Sequence, residues 1–305
     1  VEIMSSRPAV PPPIGRLVDV GGYRLHLCCQ GEGGPTVVME AAIGETGLLW
    51  SLVQPAVAQR TRACVYDRAG LGWSDPSPRP RTAAVMVEEL HALLVTAKVP
   101  GPYVLVGHSF GGLLVRLYAA HHAEEVAGLV LVDSAHEEQY SRAPREIRDV
   151  LPELEEQGRK QLEGLRALIA SGSLDAGMLP VPPGLPGPAA DTFRALVAAS
   201  PNHVETLLAE QQTVQATLAE LGAAGSTNLG DLPMVVLSHG QPMALPDLAP
   251  EVNQAHERIW QQLQVELAEL SSRSRLVVAE GSGHYIQLER PQLVIEAIGQ
   301  IVAAG

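Results

Sequence analysis

Residues Tyr103 to Leu113 read Y-V-L-V-G-H-S-F-G-G-L, an apolar run of β-formers that breaks at a glycine-flanked serine and resumes with helical spacing. The break has the form G-x-S-x-G, here Gly107-His108-Ser109-Phe110-Gly111. That pattern marks a strand-to-helix turn so sharp that its serine is held in a strained backbone conformation. A side chain at either glycine would collide with the adjoining strand or helix, so both positions must be bare. The turn also sets Ser109 at a helix N-terminus, where free N–H groups and the helix dipole favour negative charge developing on a bound oxygen. The stretch therefore predicts a nucleophilic serine at the C-terminal end of a buried strand.

Working outward from it, Thr36 to Glu40, Arg62 to Tyr66 and Gly128 to Val132 are short apolar runs like 103–106. Helical patterns at 48–59, 82–97 and 111–121 separate them. Strand alternating with helix implies parallel pairing and right-handed crossovers. Unbroken runs such as L-V-L-V suit strands covered on both faces. Ahead of them, Arg16 to Val20 and Tyr23 to Gln30 flank Gly21-Gly22 and read as an antiparallel hairpin. Residues 1–14, with Arg7-Pro8 and Pro11-Pro12-Pro13, read as an extended leader. Met234 to His239 and Arg275 to Ala279 are further strands, with helices at 251–270 and 291–303. The fold class is α/β: a mostly parallel twisted sheet of about eight strands with helices on both faces.

The alternation lapses over residues 137–230. Two amphipathic segments, Leu151 to Ala170 and Pro201 to Leu221, flank a loop rich in proline and glycine from Leu179 to Gly187. Leu151, Leu154, Leu162, Leu165 and Leu168 keep helical spacing in the first; Val204, Leu208, Val214, Leu218 and Leu221 form a stripe in the second, which Ser200 caps and Pro201 starts. Strand and helix alternate again at once afterwards, so the segment is expected to be a helical lid over the serine. The core is then 15–136 with 231–305.

The chain has 305 residues, 46% of them hydrophobic, and a formal net charge of -13. Nucleic acid and an anionic membrane surface would each call for a Lys/Arg face, and no basic run exists. No stretch reaches the roughly 20 apolar residues of a membrane span. An acidic cytoplasmic protein is the expectation, with an upstream segment removed if the Val1 start reflects processing. Three cysteines, Cys28, Cys29 and Cys64, fit no metal spacing. They are expected to be buried small hydrophobes, not a disulfide.

A serine hydroxyl needs a base to take its proton, and the base needs a carboxylate to fix its tautomer. Of ten histidines, His284 in E-G-S-G-H-Y-I-Q-L-E-R-P follows the last strand, at the sheet edge where ligands bind in such folds. His239 also ends a strand at that edge and is the competitor. His108 lies inside the elbow and points elsewhere. The acid is Asp133, directly after L-V-L-V, because the chain after His239 carries no carboxylate until Asp247. An Asp bonding its own turn is the bland alternative. Two oxyanion donors are needed. Phe110 follows the nucleophile, and Ile43 or Ala42 lies in the loop after the third strand. Glu40 and His108 are candidates for supporting hydrogen bonds around the site, Glu40 equally well a mere strand-end carboxylate.

Beyond the elbow, Y-D-R-A-G-L-G-W-S-D, Tyr66 to Asp75, is similar to a D-x-R-G-x-G-x-S turn, and S-G-H-Y-I-Q-L-E-R-P to a histidine loop, both of the α/β-hydrolase family. The chain resembles its lidded esterase and haloalkane-dehalogenase-like group over roughly residues 15–305. Two departures stand out. The usual His-Gly before the oxyanion loop is Ala41-Ala42, and the usual Asp after the strand that follows the lid is absent. Dehalogenase-like members lacking that Asp carry the acid after the preceding strand, where Asp133 stands. Dehalogenases and epoxide hydrolases use an Asp nucleophile, which Ser109 excludes. The expected activity is hydrolysis of a small-molecule carboxylic ester through an acyl-enzyme, with no metal or cofactor. The same triad acting on an amide, carbon-carbon or hydroxynitrile bond is the second reading, and a non-catalytic ligand receptor the third.

Overall fold

The hairpin predicted around Gly21-Gly22 opens the sheet: β1 (Arg16–Asp19) pairs antiparallel with β2 (Arg24–Gln30). Both glycines have positive φ, 117° and 102°, and their N–H groups donate to Asp19 Oδ1 at 2.8 Å. In the computed structural model, which describes residues 9–223, 228–243, 245 and 248–304, the remaining strands are β3 (Thr36–Glu40), β4 (Ala63–Tyr66), β5 (Tyr103–His108), β6 (Val126–Val132), β7 (Met234–His239) and β8 (Ser274–Ala279). Among the described residues they form one eight-stranded sheet ordered β1-β2-β4-β3-β5-β6-β7-β8. From β4 to β8 every neighbouring pair is parallel.

Strand alternation divides the core. In β5 and β6, Leu105, Leu129 and Leu131 face one side of the sheet, where α2 (Ala83–Thr96) and α3 (Phe110–His121) pack. Val104, Val106, Val130 and Val132 face the other, against α1 (Gln54–Val57) and α9 (Pro291–Ala304). The helix expected over 48–59 is broken: a 3₁₀ turn at Gly47–Trp50 precedes the single turn of α1. Pro55, in the first turn of α1, cannot donate its nitrogen to a longer helix.

Residues 137–230 hold α4 (Arg145–Ala170), α5 (Gly187–Ala199) and α6 (Asn202–Ala223) and, among the described residues, no strand. Ser200 Oγ accepts the Asn202 N–H at 3.2 Å, as its capping position implies. The helix α5 was missed because its proline- and glycine-containing start, Gly187-Pro188, masks a helix whose Phe193, Leu196 and Val197 are buried. The stripe of α6 is largely buried, but that of α4 is not. Only Ile147 and Ile169 of α4 are buried, while Leu154 and Leu168 are 47% exposed. The chain continues through α7 (Pro250–Glu269) and the short α8 (Ile286–Glu289).

The cysteine expectation is corrected for two of the three. Cys29 and Cys64 stand directly opposite one another in the β2/β4 register and are joined as a disulfide, with Cα atoms 4.0 Å apart. Only knowledge that β2 and β4 are neighbours would have revealed the pair. Cys28 is a buried free thiol.

Candidate active site

Ser109 is the N-cap of α3, with φ 53° and ψ −118°, a left-handed conformation that a non-glycine residue adopts only under constraint. The flanking glycines show why. A Cβ on Gly107 would lie 2.5 Å from Gly111 O, and one on Gly111 2.7 Å from both Ala41 O and Glu40 O. The elbow is tied to the end of β6 on both sides: Ser109 N–H donates to Val132 O at 3.1 Å, and Ser109 O accepts from Ala135 N–H at 3.0 Å. Asp133 lies between those two attachments, with φ 42°.

His284, in the β8–α8 loop, brings Nδ1 to 2.5 Å from Asp133 Oδ2. Its side chain is 22% exposed while that of Asp133 is 0%. Burial alone would raise the Asp133 carboxyl, but hydrogen bonds from His239 and His284 outweigh it and hold the group far below the usual carboxylate range. His108 does not point away from the site. Its Nε2 lies 2.9 Å from the His284 carbonyl oxygen and its ring 4.6 Å from the His284 ring, so the elbow itself supports the histidine loop. Burial pushes the His108 imidazole down, which keeps it neutral, with Nε2–H as the donor to that carbonyl.

The loop after β3 is held by a buried ionic network. Glu40, at the end of β3, accepts from Tyr66 Oη and from Arg68 at 2.6 Å. The Arg68 guanidinium spends its remaining donors on Ala41 O at 2.9 Å, Ala42 O at 2.7 Å and both oxygens of Glu210 on α6. Glu210 in turn accepts the Gly44 N–H at 2.8 Å, and His203 Nε2 bonds Gly44 O at 2.9 Å. Burial disfavours charge on Arg68, yet Glu210 and Glu40 raise its basicity well above normal. Three carbonyls of the Ala41–Gly44 loop are thus bonded, and fixing those of Ala41 and Ala42 orients the peptide N–H groups of Ala42 and Ile43. Phe110 begins α3, so its N–H has no intrahelical acceptor. Its ring lies 5.8 Å from the Arg68 guanidinium.

A cleft of about 630 Å³ opens between α4 and α6, bounded by Ile43, Leu154, Leu208 and Val214 with Gln211 and Gln215. Ile43 connects this cleft to the loop after β3. Another hollow, about 350 Å³ and lined by Ala119, Ala123, Val126 and Leu229, lies at the opposite end of α3 from Ser109.

Sequence reasoning missed the surroundings of Asp133 contributed by α7, where Trp260 Nε1 donates to Oδ1 at 3.1 Å. His239, weighed as the rival base, bonds Asp133 through Nδ1 at 2.8 Å and is wholly buried. Asp247 lies outside the described residues. Among the described residues the one grouping with metal-ligand chemistry is His91, His122 and Glu125. Its two imidazoles are stacked at 4.1 Å and 6°. Rings in parallel planes do not aim their in-plane lone pairs at one point, so the grouping is not set for a metal.

The chain matches the model of the Alpha/beta hydrolase family over residues 37–297. It is 26% identical over 278 residues to Uncharacterized protein YqjL of Bacillus subtilis (strain 168), covering 90% of this chain and 87% of that one. It is 38% identical over 136 residues to Probable transporter efuK of Hormonema carpetanum, covering 42% of this chain and only 20% of that protein. Among solved structures, a thermophilic esterase from Thermogutta terrifontis superposes with a TM-score of 0.60 at 21% identity, over 91% of this chain and 92% of that one. At that identity the likeness speaks to the fold.

Proposed function

Since the chain belongs to the α/β-hydrolase family, we propose that it is a serine hydrolase that cleaves carboxylic esters through an acyl-enzyme, with Ser109 as nucleophile, His284 as base and Asp133 as acid. The observation that carries the reading is the hydrogen bond from His284 Nδ1 to the buried Asp133 carboxylate, beside the strained Ser109 elbow. Donation from Nδ1 leaves the His284 Nε2 lone pair free to take a proton.

In this mechanism Ser109 Oγ attacks the ester carbonyl carbon as its proton passes to His284 Nε2. The oxyanion that forms is met by the Phe110 N–H and an N–H of Ala42 or Ile43, at the positive end of α3. His284 then protonates the leaving alkoxide, and the alcohol departs. Water, deprotonated by the same nitrogen, attacks the acyl-enzyme and releases the acid. The chemistry is complete with these side chains.

Residues 137–230 act as the lid. Supporting this, α6 is bonded to the loop after β3 through Glu210 and His203, and α4 buries little of its own surface, as expected of an element that moves. The cleft between α4 and α6 takes one apolar arm of the ester. A disulfide is uncommon in reducing cytosol, so Cys29–Cys64 supports an oxidising compartment over the cytoplasm expected from sequence.

The test is hydrolysis of matched p-nitrophenyl esters and p-nitroanilides of increasing acyl length. Turnover of the esters, with the anilides much slower, is expected. Anilide turnover equal to or above that of the esters would contradict the ester assignment.

A further inference from the structure

The last residue of β7, His239, has a second carboxylate on its far side. Its Nδ1 lies 2.9 and 2.8 Å from the two Asp133 oxygens, and its Nε2 lies 3.1 Å from Glu257 Oε2 on α7. The His239 backbone N–H and Trp260 Nε1–H both donate to Asp133 Oδ1 at 3.1 Å. The Trp260 ring is stacked on the His239 ring, 5.8 Å away at 21°. Gln261 completes the cage, donating to His239 O at 3.1 Å and to Glu257 Oε1 at 2.7 Å. Glu257, Trp260 and Gln261 are spaced i, i+3 and i+4, so one face of α7 supplies all three.

An ionised carboxylate only accepts hydrogen bonds, whereas a neutral imidazole has one N–H and one lone pair. With carboxylate oxygens facing both ring nitrogens, a neutral His239 would set its lone pair against an oxygen. The imidazolium satisfies both contacts. We propose that His239 is a positioning residue of the reaction, an imidazolium clamped between Glu257 and Asp133 that orients the acid and spreads its charge over two histidines. This rests on the roles given above to Ser109, His284 and Asp133.

The titratable groups facing His239 are Asp133 from the end of β6 and Glu257 and His256 from α7, while His284, from the β8–α8 loop, shares the Asp133 carboxylate with it. Burial opposes charge on His239, but the hydrogen bonds to Asp133 and Glu257 prevail and push it up to about 9. No lone pair remains for it to act as a base, and it keeps its proton throughout the cycle. Its positive charge also disfavours a second imidazolium on the same carboxylate.

Two measurements test this. In ¹⁵N spectra of the unmodified protein at pH 7, His239 should show both ring nitrogens protonated, and in Glu257→Gln its titration should move to lower pH. In His239→Gln, the acid limb of the pH profile of kcat/KM for an aryl ester should move up by about one pH unit. A neutral His239 at pH 7, or a folded His239→Gln enzyme with an unmoved acid limb, overturns the proposal. Should His239→Gln not fold, the spectra of the native protein and of Glu257→Gln decide. Full turnover by Ser109→Ala would instead remove the serine hydrolase reading, leaving the imidazolium signature intact.

Discussion

His284 Nδ1 reaches Asp133 Oδ2 at 2.5 Å although the two residues follow strands that are not neighbours: β7 lies between β6 and β8. The carboxylate spans that gap from the end of β6, where Asp133 has a φ of 42° and also bonds His239 at the end of β7. Asp133→Asn should therefore cost on the order of 10⁴ in turnover by leaving His284 in the wrong tautomer. It should also lower stability by about 1–3 kcal/mol, because the new amide nitrogen cannot accept from the donors around it. Steady-state kinetics with urea denaturation measures both. An active Asp133→Asn enzyme would remove Asp133 from the mechanism.

The ionic network behind the loop after β3, which we propose supplies an oxyanion donor, predicts a different signature. In Glu210→Gln, the Arg68 guanidinium loses its anionic partner on α6, and the Ala41–Gly44 loop loses one of its anchors. Misplacing oxyanion donors acts on the transition state more than on substrate binding, so kcat should fall by up to about 10²-fold with KM changed much less. An unaltered kcat in a folded variant would show that the loop holds its geometry without α6.

Stability should depend on pH through His239. Its folded-state pKa, about 9, lies above the ordinary imidazole value of about 6.5. The stabilisation is therefore complete below about pH 6.5 and lost as pH rises through 9, in total on the order of 3 kcal/mol. Asp133 works oppositely: its depressed pKa gives stability that is present above the usual carboxylate range and lost in acid. Across pH 6–10 the urea midpoint of the native protein should decline relative to that of His239→Gln. Parallel curves would mean that His239 is neutral in the fold.

Much of this architecture was legible because it is local. The elbow and the order of strands and helices are written in short patterns, and the G-x-S-x-G stretch carries its own steric reason for each glycine. The environment of Asp133 was not legible: Glu257, Trp260 and Gln261 are ordinary helix residues until α7 docks against the end of β7, a tertiary fact. Arg68 lay within a stretch quoted for its resemblance, but its bonds to Glu40 and Glu210 link positions 28 and 142 residues away. Cys29 and Cys64 were misread for the same reason, since their pairing depends on which strands adjoin.

That pairing is checked by counting thiols. One free thiol, Cys28, should react in the denatured, unreduced protein, and three after reduction. Three before reduction would show that Cys29 and Cys64 are not joined.

The central claim is that Ser109 is the nucleophile, and covalent capture tests it most directly. The protein would be treated with an alkyl fluorophosphonate, and the adduct weighed intact and located by peptide mass spectrometry. A single phosphonyl group on Ser109, with hydrolysis of esters lost in step with labelling, is the expected result; Ser109→Ala should fold normally, take no label, and retain only the residual catalysis of binding and the oxyanion donors, roughly 10³ to 10⁴-fold over water. Label on another residue, or ester hydrolysis undiminished in Ser109→Ala, would contradict the account.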